Sequence, residues 1–154
     1  MISRAAIQTI KALLELSHEP ARWRSVSQLA TAQALPAPHL EQLLLRLRRA
    51  GVLEARRGRQ GGYRLAAPPE ELSLGRILAA AGAWPGTGGR PSRVGAGAAT
   101  AEPDPATEQV ADLLRQRLAR AVERELDQLT LAELLFDLRS ARAGLSEEGG
   151  LMLG

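Results

Sequence analysis

The stretch from His39 to Leu65, HLEQLLLRLRRAGVLEARRGRQGGYRL, constrains the fold of this chain more than any other segment. Leu40, Leu43, Leu44 and Leu47 recur at the i, i+3, i+4, i+7 spacing that gives a helix one buried face. Gly51 follows the last periodic turn, where a left-handed helix stop is expected. A β-like run over 52–57 then meets a glycine-rich tip, Gly58-Arg59-Gln60-Gly61-Gly62, and returns through Tyr63-Arg64-Leu65. A helix followed by a two-stranded hairpin is the working part of a winged helix-turn-helix. The fold class implied is mainly α with a small β-wing, an architecture suited to reading duplex DNA.

The residues before this stretch supply the remaining helices. A first helix is expected over about 3–17, with Ile7, Ile10, Leu13 and Leu14 inward, ended by His18-Glu19-Pro20. Ser25-Val26-Ser27-Gln28 has the form of a capping box, opening a second helix with Leu29, Ala30 and Ala34 inward. Leu35-Pro36-Ala37-Pro38 is the turn, its prolines placed where early helical positions lose no amide partner. The third helix, 37–50, is then the recognition helix.

Charge divides the chain. Residues 1–65 carry eleven Lys/Arg against four Asp/Glu, and residues 66–154 carry nine against thirteen, so the net charge of +3 conceals halves of opposite sign. The N-terminal half is the one suited to a polyanion. All basic residues but Lys11 are arginine, whose planar fork matches phosphates and guanine edges. Arg46, Arg48, Arg49, Arg56, Arg57, Arg59 and Arg64 gather in the helix and the hairpin. Arg46, Arg48, Arg49, Arg56 and Arg64 are candidate phosphate clamps, with one or two of them serving pairs inside the chain.

Beyond the hairpin, Ser73 caps a fourth helix with Leu74, Ile77, Leu78 and Ala81 inward. The first domain therefore spans 1–82. Residues 82–106 hold six glycines and four prolines, a composition that reads as a flexible loop over 83–106. Asp104-Pro105 launches a long fifth helix striped by Val110, Leu114, Leu118, Val122 and Leu126, with Leu113 and Leu129 widening the band. Thr130-Leu131-Ala132-Glu133 caps a sixth helix burying Leu134, Leu135 and Leu138. These two helices form a third segment, 107–143, and a loose tail follows over 144–154. The stripe either folds over the first domain as a lid or pairs with a second copy of the chain; DNA readers commonly pair to match two half-sites.

Several function classes are excluded or disfavoured. The chain has no cysteine, so disulfides, thiolate metal sites and cysteine-bound iron–sulfur clusters are out of reach. With two histidines, a metal site would need several carboxylates that nothing in the sequence groups together, so no metal and no cofactor is assigned. Neither histidine has a nucleophile or paired carboxylate at a telling distance, and GRQGG lacks the Lys-Ser/Thr of a phosphate loop, so the chain does not read as an enzyme. Without a signal region or a membrane-length apolar run, the expectation is a cytoplasmic protein. The alternative function is a winged-helix module that docks on proteins instead of DNA.

The block HLEQLLLRLRRAGVLEARRGRQGGYRLAAPPEELSLGRIL resembles the winged-helix core of bacterial regulators of the IscR, NsrR and CymR type. The resemblance extends over about 2–82, more weakly over the long helix and TLAELL. It implies a homodimeric, DNA-binding transcriptional regulator, a repressor by expectation, with long helices paired and recognition helices in successive major grooves. It places Glu41 and Gln42 at base edges and Arg57 in the minor groove, with Arg59 joining it or holding a phosphate. A carboxylate can accept from a cytosine amino group, and a narrow groove attracts guanidinium. Glu41 equally suits an ion pair with Arg48 or another neighbouring arginine, and Gln42 a plain exposed role. Gly58, Gly61 and Gly62 let the tip approach the backbone or simply make the hairpin; Tyr63 packs at the wing base. His39 stands where the family usually has tyrosine, and belongs with Arg46, Arg49 and Arg56 in the candidate DNA-binding set. Sensing members carry three cysteines in the loop after the fourth helix; this loop has none, so the cluster does not carry over. Trp84, at the loop's entry, reads as a packing anchor or the wall of a pocket for an effector of unknown identity.

Overall fold

The computed structural model describes residues 2–83, Glu102 and residues 104–151, with side chains as far as Glu147; Trp84 and most of the expected loop lie outside the described residues. Helix α1 (Arg4–His18) starts where Ser3 Oγ accepts the Ala6 amide at 3.1 Å. Its buried face is Ala6, Thr9, Ala12, Leu13, Leu16 and Ser17. This corrects the expected inner face: Ile7 is 40% exposed, and Ile10 and Leu14 are half-buried. The smaller residues can be buried because Thr9 and Ser17 satisfy their hydroxyls on the carbonyls of Ala5 and Leu13, at 2.7 and 2.6 Å.

Helix α2 (Val26–Gln33) opens with the complete capping box of Ser25 and Gln28. It stops at Ala34, held in the left-handed region with φ 51°, its amide on the carbonyls of Ala30 and Thr31. Ala34 was expected to point inward and is exposed, because the reversal that ends the helix turns its side chain away. Helix α3 (Ala37–Arg49) buries Leu40, Leu43, Leu44 and Leu47. Gly51, at φ 76°, completes a Schellman ending in which the amides of Gly51 and Val52 reach the carbonyls of Arg48 and Leu47.

The hairpin is shorter than the sequence suggests. Strand β1 (Leu53–Arg56) pairs antiparallel with β2 (Gly62–Leu65) in the register Leu53–Leu65, Glu54–Arg64, Ala55–Tyr63 and Arg56–Gly62. Alternation places Leu53 and Leu65 in the core and turns Glu54, Arg56 and Arg64 to the other face. A short 3-10 turn (Pro69–Glu71) leads to α4 (Leu74–Ala80), capped by Ser73, with Leu74, Ile77, Leu78 and Ala81 all buried.

Helix α5 (Pro105–Gln128) begins at Asp104, so Pro105 and Ala106 belong to the helix and not to the loop. Asp104 accepts from the Thr107 hydroxyl and the Ala106 amide, which together hold its carboxyl below the ordinary aspartate value. Helix α6 (Leu131–Leu151) follows, started by the Thr130–Glu133 box. It buries Leu131 and Leu135, leaves Leu134 and Leu138 half-buried, and runs through residues where a loose tail was expected. No proline interrupts that stretch.

The junction between α5 and α6 is stitched into the first domain. The amides of Leu74 and Leu131 bond the carbonyls of Leu129 and Leu72, both at 2.8 Å. Gly75 lies so close to α5 that a Cβ would stand 2.0 Å from Asp127 Oδ1. Leu131 joins the same core cluster as the α3 leucines, so the third segment shares the core of the winged domain. Replacing Leu131 with alanine should therefore lower the unfolding free energy by about 2–5 kcal/mol. Denaturant titration of the single variant checks this; a loss within ~0.5 kcal/mol would show the junction to be a surface attachment.

Candidate nucleic-acid interface

With its leucines buried, α3 leaves one face to solvent. His39, Gln42 and Arg49 lie on it at spacings of three and seven, with Glu41 and Arg48 alongside, all exposed. His39, Glu41 and Gln42 occupy the N-terminal half, the end of a recognition helix that meets base edges. Arg46, Arg48 and Arg49 crowd the last turn, where the helix dipole favours cations. Among the described residues Glu41 forms no ion pair, so the pairing with Arg48 considered above is not made.

Arg46 also reaches α4. Its Nη1 donates to the Ala81 carbonyl at 3.2 Å, capping the C-terminus of α4. The bond ties the recognition helix to the helix behind it through one of the guanidinium's five donors, and Arg46, itself exposed, is in no ion pair among the described residues.

The wing tip is built by glycines for two different reasons. Gly58, at φ 107°, meets nothing within 4 Å, and its carbonyl accepts the Gly61 amide at 3.0 Å. Gly61 and Gly62 are close approaches: a Cβ would stand 2.1 Å from the Arg56 carbonyl oxygen and 2.2 Å from that of Arg24, respectively. Arg57 and Arg59 project from this turn, exposed, and neither is in an ion pair among the described residues.

The other wing arginines are held. Arg64 Nε bonds Glu54 Oε2 at 2.9 Å, and its guanidinium lies 4.3 Å from the centroid of Trp23. Arg56 reaches over the same ring at 5.8 Å. Tyr63 is half-buried at the wing base, and its amide and carbonyl exchange hydrogen bonds with Arg24 at 2.8 and 2.9 Å. Arg24 in turn pairs with Glu15 at 3.1 Å, and Glu15 accepts from Gln33 at 2.7 Å. Sequence reasoning missed Trp23 and Arg24. Their one signal was position, immediately before a capping box, and nothing local marks them as partners of a hairpin some forty residues away.

On α5, Val110, Leu114, Leu118 and Val122 are 43–65% exposed, and no residue of the helix is fully buried. Only Leu126, with Leu129 just beyond, packs against the core. The helix does not fold over the first domain as a lid.

Comparison with known proteins agrees with this geometry. The Rrf2 family profile, described as an iron-dependent transcriptional regulator, matches residues 2–137. A Synechocystis protein described as an HTH-type transcriptional regulator is 36% identical over 148 residues, 90% of each chain. Among solved structures, IscR of T. potens superposes with a TM-score of 0.66 at 27% identity, over 92% of this chain and 90% of that one. CymR, the global cysteine regulator of B. subtilis, gives 0.63 at 26% identity, over 88% and 95%.

The iron named in the family description finds no matching donor set here. The chain has no thiolate, and no group of three His, Cys, Asp or Glu stands together among the described residues. His18 and His39 lie on different helices, α1 and α3.

The Arg46–Ala81 bond has a measurable consequence. Arg46→Met, which keeps the aliphatic stem, should lower the unfolding free energy by about 0.5–1.5 kcal/mol. Urea denaturation checks it, and a variant as stable as the parent would show that the bond adds nothing to the fold.

Proposed function

The chain belongs to the Rrf2 family of transcriptional regulators, and from that premise we propose that it binds specific duplex DNA as a homodimer without an iron–sulfur cluster. One observation carries the reading: the face of α3 that the core leaves open bears His39, Glu41, Gln42 and Arg49, and at the wing tip Arg57 and Arg59 are exposed and in no ion pair among the described residues. In this reading the first three reach base edges in the major groove. Arg48 and Arg49 hold phosphates beside them. Arg57 enters the minor groove, and Arg59 supports it on the backbone. Arg64 serves the scaffold, and Arg46 ties α3 to α4 while keeping its charge for a phosphate. Repression is the direction that asks least of the protein, since an occupied site is closed to others, whereas activation requires a further contact surface.

The exposed stripe of α5 supports the dimer. Val110, Leu114, Leu118 and Val122 follow an unbroken four-residue step. Ridges of that kind interdigitate when two helices cross at about 50°, and not when they run side by side as a coiled coil. We infer that two α5 helices cross along this stripe. The chain lacks the family's thiolates, so its signal is of another kind: a small effector, a partner or protein concentration itself.

Selection of bound fragments from random duplexes at fixed salt tests the central reading; failure to enrich any motif would favour the protein-docking alternative. On the selected duplex, Arg57→Ala should weaken binding by about 1–3 kcal/mol. Equal affinity would remove the wing from recognition. Leu118→Asp should convert the dimer to a folded monomer in sedimentation and weaken operator binding at least tenfold (~1.4 kcal/mol). A parent chain that sediments as a monomer at micromolar concentration would overturn the pairing.

A further inference from the structure

Trp23 stands at a junction of three elements. Its neighbour Arg24 is bonded through its backbone to Tyr63 on β2, and through its side chain to Glu15 on α1. Ser25, next along, caps α2. The loop bearing Trp23 is therefore fixed to the body of the domain. The ring lies under the outward face of the wing, 4.3 Å from the Arg64 guanidinium and 5.8 Å from that of Arg56. These arginines come from opposite strands: Arg64 faces Glu54, and Arg56 faces Gly62. One ring thus engages both strands at once, through the attraction of cations for an aromatic face.

A two-stranded hairpin alone is marginal in water, so the direction of its tip depends on what grips its base. The core grips the inner face through Leu53, Leu65 and Tyr63. The outer face is gripped by Trp23. Arg56 is the last residue of β1, and Arg57 follows it directly into the tip.

We propose that Trp23 is a positioning residue for the wing, setting through Arg56 and Arg64 the angle at which Arg57 and Arg59 are presented. As a statement about recognition this rests on the DNA-binding reading; as a statement about the hairpin it does not. The ring touches no nucleic acid in this scheme.

Two measurements on the full chain test it separately. Amide exchange of Trp23→Ala should rise about tenfold across the β1–β2 pairs and at Tyr63, while Leu44 and Leu47 in α3 keep their protection. Trp23→Phe, retaining an aromatic face, should restore most of the wing's protection. On the selected duplex, Trp23→Ala should weaken binding about tenfold, and Arg57→Ala added to it should cost less than about threefold more, a coupling expected of residues acting through one element. Wing exchange equal to that of the parent would overturn the proposal whatever the DNA result. So would strict multiplication of the two effects on a duplex that the parent binds. If the parent binds no duplex, the DNA reading falls and the exchange data alone decide whether Trp23 holds the wing.

Discussion

The burial of four leucines fixes everything that α3 shows to the outside. Leu40, Leu43, Leu44 and Leu47 are each at most 1% exposed, packed in one cluster with Leu13 and Leu16 of α1, Leu29 of α2 and Val52 and Leu53 of the wing root. Successive residues of a helix differ by about 100° in direction, so no rotation moves the polar face without unpacking the leucines. His39, Gln42 and Arg49 are exposed in a defined order because of what lies behind them. The Schellman turn at Gly51 then feeds the chain into β1 at once, so the helix and the hairpin are registered on the same core.

The same scaffold sorts the arginines. Arg24 and Arg64 are paired with Glu15 and Glu54, Arg64 also lying over Trp23, while Arg46 gives one donor to the end of α4. An arginine paired with a carboxylate presents little net field to a distant phosphate, however exposed its stem. Arg46, Arg48, Arg49, Arg56, Arg57 and Arg59 form no ion pair among the described residues, and these carry the available positive charge. Of the seven arginines gathered in the sequence, Arg64 alone is ion-paired among the described residues.

What could be read in advance follows from the range of the interactions. The leucine period of α3, the boxes at Ser25 and Thr130, the Gly51 stop and the Asp104 cap are written in adjacent residues and stand where the sequence places them. The buried face of α1 was misjudged because hydrophobicity favours Ile7, while close packing favours Ala6 and Thr9 with its hydroxyl satisfied one turn back. Arg64 looked like a clamp because its partner Glu54 comes within reach only through the hairpin register. The Trp23 stack and the Arg46 cap join residues far apart in sequence, and composition carries no trace of either.

The attachment of α5 has a consequence for any assembly built on it. Its C-terminal end is locked to the winged domain by the Gly75–Asp127 approach and by the paired bonds of Leu74 and Leu131, while its stripe toward the N-terminus is uncovered. A rigid helix anchored at one end and paired along the rest is a lever: the angle at which two such helices cross also sets the separation and tilt of the two recognition helices. Half-sites lie about 34–36 Å apart per turn of duplex, so a small change in crossing angle is amplified into a mismatch with the grooves. Control of DNA binding in the proposed dimer then needs no contact with α3 or the wing. Any group that alters the packing of Val110, Leu114, Leu118 and Val122 against their counterparts changes the fit to DNA. A chain without thiolates can therefore still be switched from the same helix pair.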